Sequence, residues 1–319
     1  MNKKAFITLF VLLITSFTFA QNKIISVDAK ANISLLNGSI SRYVFDPDSH
    51  NTDDVLSRLD WDVKNVPIVS ASVDLTLFKY AYFNLGAGFG FPSTPSGNMQ
   101  DYDWLNCTEQ YGTELTCYSI HDNFLNSYRN IFVKIGYNFY LPLKITITPF
   151  VAYNYEYLGF DSFDGYTEYK QDNWQKKECS GSVVSYFQET NAFLVGIKLI
   201  SPVLFNLKID GEFLISPYTS NINALDKHKH PKKRIHYIDL MPWSYQLQSS
   251  LNLSYSIQKH HKIFVQGFLQ YIPVSKGNYY SRKTDKNGNY TSTDWTIESS
   301  QCGTSRFLWQ ISLGYCFSI

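Results

Sequence analysis

The chain reads as all-β, a ten-stranded antiparallel transmembrane β-barrel with long extracellular loops. Three observations predict it. From residue 27 onward the chain is built of strand-like runs in which apolar and polar residues alternate. The connections between those runs are alternately short and long, the pattern of a membrane barrel with tight turns at one end and loops at the other. The longest apolar run, "AFITLFVLLITSFTFA", lies at the N-terminus behind Lys3 and Lys4 and stops at Ala20, so it reads as a signal peptide over residues 1–20, cut before Gln21. That run is shorter than the roughly 20 residues a spanning helix needs. Residues 21–319 are then a single domain, which crosses a membrane with strands or not at all.

The elements follow in order. The first run ends near Phe45, where a long connection covers 46–56, and the second descends to a short connection at Phe78-Lys79. "YFNLGAGFGF" (Tyr82 to Phe91) is the third, before a long connection over 93–125. The fourth and fifth meet at "LPLK" (Leu141 to Lys144) and lead into a long connection over 161–188. The sixth and seventh meet at "SPVL" (Ser201 to Leu204); the seventh, "FNLKIDGEFLISPY", carries Asp210 and Glu212 on one side, and acids on a lumen face need hydrogen-bond partners or water. A long connection over 222–235 precedes the eighth, "QKHH" (Gln258 to His261) joins it to the ninth, and a long connection over 276–304 precedes the tenth. In that last run Phe307, Trp309, Ile311, Leu313, Tyr315, Phe317 and Ile319 alternate with Leu308, Gln310, Ser312, Gly314, Cys316 and Ser318. A soluble sheet would turn such an apolar face to a core; a barrel turns it to lipid and the polar face to its lumen.

Composition narrows the partners. A formal net charge of +1 over 319 residues lacks the excess of Lys and Arg that marks a nucleic-acid binder. The 24 Tyr and 23 Phe fit a chain with membrane interfaces, and five Cys fit an oxidising compartment. Cys107 and Cys117 share one long external loop, where a disulfide would restrict the segment, so a Cys107–Cys117 bridge is expected, with free thiols as the alternative.

The chemistry concentrates in two stretches. In "GNMQDYDWLN" (Gly97 to Asn106), Asp101 and Asp103 are two apart and share a face of a strand. In "ALDKHKHP", Asp226 and His228 have the same spacing. Paired carboxylates raise the proton affinity of one of them, and an Asp beside a His fixes its tautomer and favours imidazolium; together they can activate water. His228 and His230 lack a third ligand at zinc spacing, so no metal is assigned. Lys232, Lys233 and Arg234 are extra positive charges beside this motif, suited to phosphates of a lipid surface.

Read together, these stretches resemble the omptin family of outer-membrane proteases. The likeness begins at "SRLDWDVKNVPIV" (Ser57 to Val69), meets the family's Gly-Asn-Met-x-Asp-x-Asp-Trp in "GNMQDYDW" with Met99 in place, finds its Ser-x-His as Ser119 and His121 in "YSIHD", and its Lys-Arg-Ile-x-Tyr as Lys233, Arg234, Ile235 and Tyr237. The resemblance implies a monomeric endopeptidase in the bacterial outer membrane, its site facing the exterior and its substrate a peptide or protein. Asp101 with Asp103 and Asp226 with His228 would be the catalytic pairs, His228 taking a proton from water, and Ser119, His121 and Met99 would support them. The family lines its first specificity pocket with acids; the matching positions here are Ser41, Cys117 and Ala224, all without charge, which implies a neutral or apolar preference. No cofactor is implied, and dependence on lipopolysaccharide does not carry over, because Tyr157 stands where the family has an Arg and Pro242 where it has a Lys. The alternatives are a catalytically silent barrel acting as adhesin or receptor, which the missing pocket acids would suit, and a lipid A-modifying barrel using Ser119 and His121 nearer the membrane boundary.

Overall fold

A computed structural model describes residues 25–47, 54–104, 114–229, 234–285 and 287–319. The signal-peptide reading, Cys107 and His230 lie outside them. The strands, in chain order, are β1 (Ile25–Phe45), β2 (Val55–Leu77), β3 (Ala81–Gly90), β4 (Thr94–Asp103), β5 (Cys117–Tyr137), β6 (Phe139–Tyr140), β7 (Thr146–Tyr169), β8 (Lys176–Glu178), β9 (Ser182–Ile200), β10 (Leu207–His228), β11 (Ile235–Gln258), β12 (His261–Lys283) and β13 (Thr296–Ser318). They form a closed ring of ten strands, with β3 and β4 counting as one wall strand and β6 and β8 as short additions. β3 and β4 both pair with β2 and with β5, and Ser93, at φ 59°, turns the chain between them. The ring closes where β1 pairs antiparallel with β13, Ile33 opposite Leu313, so no edge is left open.

The alternation in the sequence becomes two surfaces. Ile33, Leu85, Val195, Leu251 and Leu313 are exposed on the outside, forming an apolar belt around one half of the barrel. Inside the belt the lumen is polar, and its charges are matched. Glu212 takes ion pairs from Lys134 and, at 3.4 Å, from Lys198, while Lys30 reaches Asp74 at 2.6 Å. Asp210 is met by Lys208 and by Asn252, each at 3.4 Å, so both acids of the seventh wall strand have the partners that their burial demands.

Beyond the belt the interior changes character. Arg306 crosses the lumen to Glu156 and Gln188, with Gln270 donating to Glu156 at 3.0 Å. Beside it a fully buried cluster of Ile40, Leu59, Trp61, Met99, Phe160, Tyr186 and Ala224 fills the barrel, with Trp61 stacked 5.4 Å from Tyr186 and 5.9 Å from Phe160. A lumen polar throughout was expected; here it is closed by an apolar plug, and the site stands on that plug.

The turns fall where the sequence places them at the belt end, after β2, β5, β9 and β11. At the other end the strands run further than their polarity implies. The connections there are 46–54, 104–116, 170–181, 229–234 and 284–295, so much of the expected loops over 93–125, 161–188, 222–235 and 276–304 is strand. The cause is that above the belt neither face of a strand meets lipid, and the apolar alternation that reveals a strand fades.

Candidate active site

Two strand walls carry the candidate residues. On β10, Asp226 is completely buried and His228 is 9% exposed, and His228 Nε2 lies 3.0 Å from Asp226 Oδ2. A paired carboxylate only accepts, so Nε2 carries the proton and Nδ1 is the basic nitrogen. The ring of Tyr237, on β11, meets His228 edge-on at 5.5 Å between centroids. Burial, and after it the charge of Asp226, pushes the Tyr237 phenol up to about 12, against the pull of Arg42; the charge of Asp103, from the other wall, reaches the same phenol.

Behind this couple stands a residue from across the barrel. Arg42, on β1, places Nη1 3.2 Å from Asp226 Oδ2 and makes a two-point contact with Asp239 of β11, Nε to Oδ2 at 2.6 Å and Nη2 to Oδ1 at 3.0 Å. Its guanidinium lies 5.2 Å from the ring centre of Tyr237 and 5.9 Å from that of Tyr279. Burial works against the Arg42 cation, but Asp239 and Asp226 outweigh it and hold the charge in place.

The other wall is β4 against β5. Gly97 takes φ +105° at a bulge where a Cβ would come 2.7 Å from that of Asp62, and Asn98 N donates to Asp62 Oδ2 at 3.1 Å. From that bulge the strand sets Met99 opposite His121, Asp101 opposite Ser119 and Asp103 opposite Cys117. Met99 is buried in the plug, whereas Asp101 and Asp103, on the same face and nearer the rim, are partly exposed. Ser119 and His121 are buried, with Ser119 Oγ 3.0 Å from His121 Nε2. The Asp164 carbonyl takes His121 Nδ1–H, so Nε2 accepts from the Ser119 hydroxyl. Gly165 makes that approach possible: its φ is +93° and a Cβ there would sit 2.0 Å from the Ile120 carbonyl oxygen.

Of the ten site residues singled out in the sequence, nine lie inside the barrel wall or at its rim, Cys117 opposite Asp103; Ala224 joins Met99 in the plug. Ser41 does not line the interior. It donates to Asp60 Oδ1 at 2.6 Å on the outer side, and its neighbour Arg42 takes the inward position. The reason is the two-residue period of a strand: Ile40 and Arg42 face in, so Ser41 faces out. Arg42 and Asp239 went unmarked in the sequence, although an Arg flanked two positions away by Ile40 and Val44 is a charge on an inward face. Among the described residues no group of three His, Cys, Asp or Glu side chains could hold a metal ion. Cys179, Cys302 and Cys316 are free thiols.

Comparison with known proteins identifies the family and the fold. The profile of the Omptin family matches residues 23–317. The plasminogen activator of Yersinia pestis is 32% identical over 90 residues, a stretch that spans 28% of this chain and 27% of that protein. The outer membrane protease OmpT from Escherichia coli has a similar fold, with a TM-score of 0.81 and 17% identity over 92% of this chain and 97% of that one. The chain is a bacterial outer-membrane β-barrel and belongs to the Omptin family.

Proposed function

We propose that this barrel is an outer-membrane endopeptidase that cleaves peptides or proteins at the cell surface, with a water molecule activated between the Asp101–Asp103 pair and the Asp226–His228 couple. The water gives one O–H to a carboxylate of the acidic pair and the other to His228 Nδ1, which aims a lone pair at the scissile carbonyl carbon. As the C–O bond forms, the proton passes to His228 Nδ1; when the C–N bond breaks, the imidazolium returns it to the leaving amine. Asp226 keeps the imidazole in the tautomer that can do both. Ser119 and His121 brace the wall beside Asp101 and, in this reading, do not attack the substrate, since the hydroxyl is buried and His228 serves as the base.

The observation that carries the reading is the buried Asp226–His228 contact in a chain whose family profile spans residues 23–317. Cys117 and Ala224 carry no charge where the family lines its first pocket with acids, which favours a neutral or apolar residue next to the cleaved bond. The test is digestion of an unbiased peptide library by the detergent-folded protein. Cleavage with new N-termini is expected, and His228→Ala should lower kcat/KM by about 10²–10⁴-fold, the usual worth of a general base. Unchanged turnover in that variant would remove His228 from the mechanism.

A further inference from the structure

The Asp226–His228 couple has a third member. Asp226 Oδ2 is shared: His228 Nε2 lies 3.0 Å from it and Arg42 Nη1 lies 3.2 Å from it. Arg42 reaches it from β1, whereas Asp226 and Asp239 belong to β10 and β11, so the guanidinium ties one wall of the rim to another. Its side chain is 3% exposed and that of Asp239 is 1% exposed, so water cannot stand in for either partner. A fixed cation on the carboxylate that supports a general base is not neutral to that base. Left alone, an ionised carboxylate stabilises the protonated imidazole, which cannot take a proton from water.

We propose that Arg42, gripped by Asp239, is a positioning residue of the Asp226–His228 couple: it holds Asp226 as a charged, oriented acceptor and limits how firmly that carboxylate keeps a proton on the imidazole. The proposal rests on the proteolytic reading for its functional meaning, but its electrostatic core stands apart from it. Among the described residues, the following charged and titratable groups enter the balance at His228. Asp226 and Lys227 lie on its own strand, Lys229 directly after it, and Arg42 on β1. His236, Tyr237 and Asp239 come from β11, and Asp103 of β4 and Glu298 of β13 act on the adjoining Tyr237; β9 presents apolar Val184 directly opposite. Among these, Arg42 is the cation bonded to the supporting carboxylate, and Asp239 decides how much of its charge Asp226 receives.

The two partners of this ion pair therefore act with opposite sign. Without the Arg42 charge, Asp226 acts on His228 undiminished, and the imidazole holds its proton to higher pH. Without the Asp239 charge, Arg42 turns to Asp226 alone and one anion near the ring disappears, so the imidazole gives up its proton at lower pH. A merely structural role for the pair would move both variants the same way or neither.

The experiment follows the imidazole of His228 by NMR in the detergent-folded mature chain with isotope-labelled histidine, the signal being the one lost in His228→Gln. Arg42→Met should raise the titration midpoint by on the order of one pH unit, Asp239→Asn should lower it, and Arg42→Lys, which keeps the charge, should stay close to the parent. In the parallel pH profile of kcat/KM on a peptide cleaved by the parent, the acid limb should move with the midpoint. Midpoints that shift in the same direction in Arg42→Met and Asp239→Asn, or that do not shift, overturn the proposal. Should Arg42→Met fail to fold, a downward shift in Asp239→Asn with Arg42→Lys unmoved supports it, and an unmoved Asp239→Asn overturns it. A parent protein that cleaves nothing refutes the proteolytic reading, and the titration still decides the role of Arg42.

Discussion

Single residues inside this barrel are held by partners they cannot exchange for water. Glu212 shows the consequence. It lies between Lys134 and Lys198 on the lumen face, and none of the three is more than 15% exposed in its side chain. Glu212→Gln leaves two buried ammonium groups with one anion fewer, and breaking a buried pair in this way costs about 3 kcal/mol. The midpoint of urea unfolding of the folded barrel in lipid vesicles, with an unchanged slope, measures it; a midpoint equal to that of the parent would show that water replaces the carboxylate. At this scale the sequence was partly legible. Asp101, Asp103, Asp226 and His228 could be found because two residues of separation place side chains on one face, and that rule is local. Arg42 and Asp239 could not be paired, since 197 residues separate them and only the closed ring brings them within 2.6 Å.

At the scale of the strand, legibility follows the solvent. β13 was readable from Phe307 to its last residue because one face meets lipid and the other the lumen: Leu313 is 66% exposed outward and Ser312 is 3% exposed inward. That exposure makes its own prediction. Leu313 pairs with Ile33, itself 65% exposed, within the apolar belt, so Leu313→Arg places a charge in hydrocarbon and should cost about 2–4 kcal/mol of folding stability in a bilayer. Folding titrations in lipid vesicles and in detergent would report it, with a much smaller loss in detergent; equal losses in both would mean that Leu313 does not face lipid. β4 and the upper parts of β5, β7, β9, β10, β12 and β13 were not readable in this way. There the inward face is packed on the plug and the outward face meets water, so residues such as Tyr118, Ser119 and Ile120 follow no membrane pattern, and polarity was mistaken for loop. Ser41 was misplaced although the alternation was legible there: Ile33 and Leu35 face out, and the unbroken two-residue period carries Ser41 to that same side and Arg42 inward.

On the scale of the whole molecule, the barrel is a wall with two fillings. Within the belt the filling is polar and charge-matched, and above it the Arg306 network and the Trp61 cluster close the lumen, leaving a rim on which opposite strands face each other. β4 and β10 are separated by three wall strands one way around the ring and five the other, so Asp101 and His228 stand on facing walls. The central claim is that these walls act on one water molecule. The most direct measurement is a double-mutant cycle on kcat/KM with a cleaved peptide, combining Asp101→Asn with His228→Gln. Groups that serve one water are lost together, so the double variant should be no slower than the slower single variant by more than a few-fold. Losses that multiply, leaving the double variant slower by the product of the two single effects, would mean that the acidic pair and the imidazole work independently and would contradict the account.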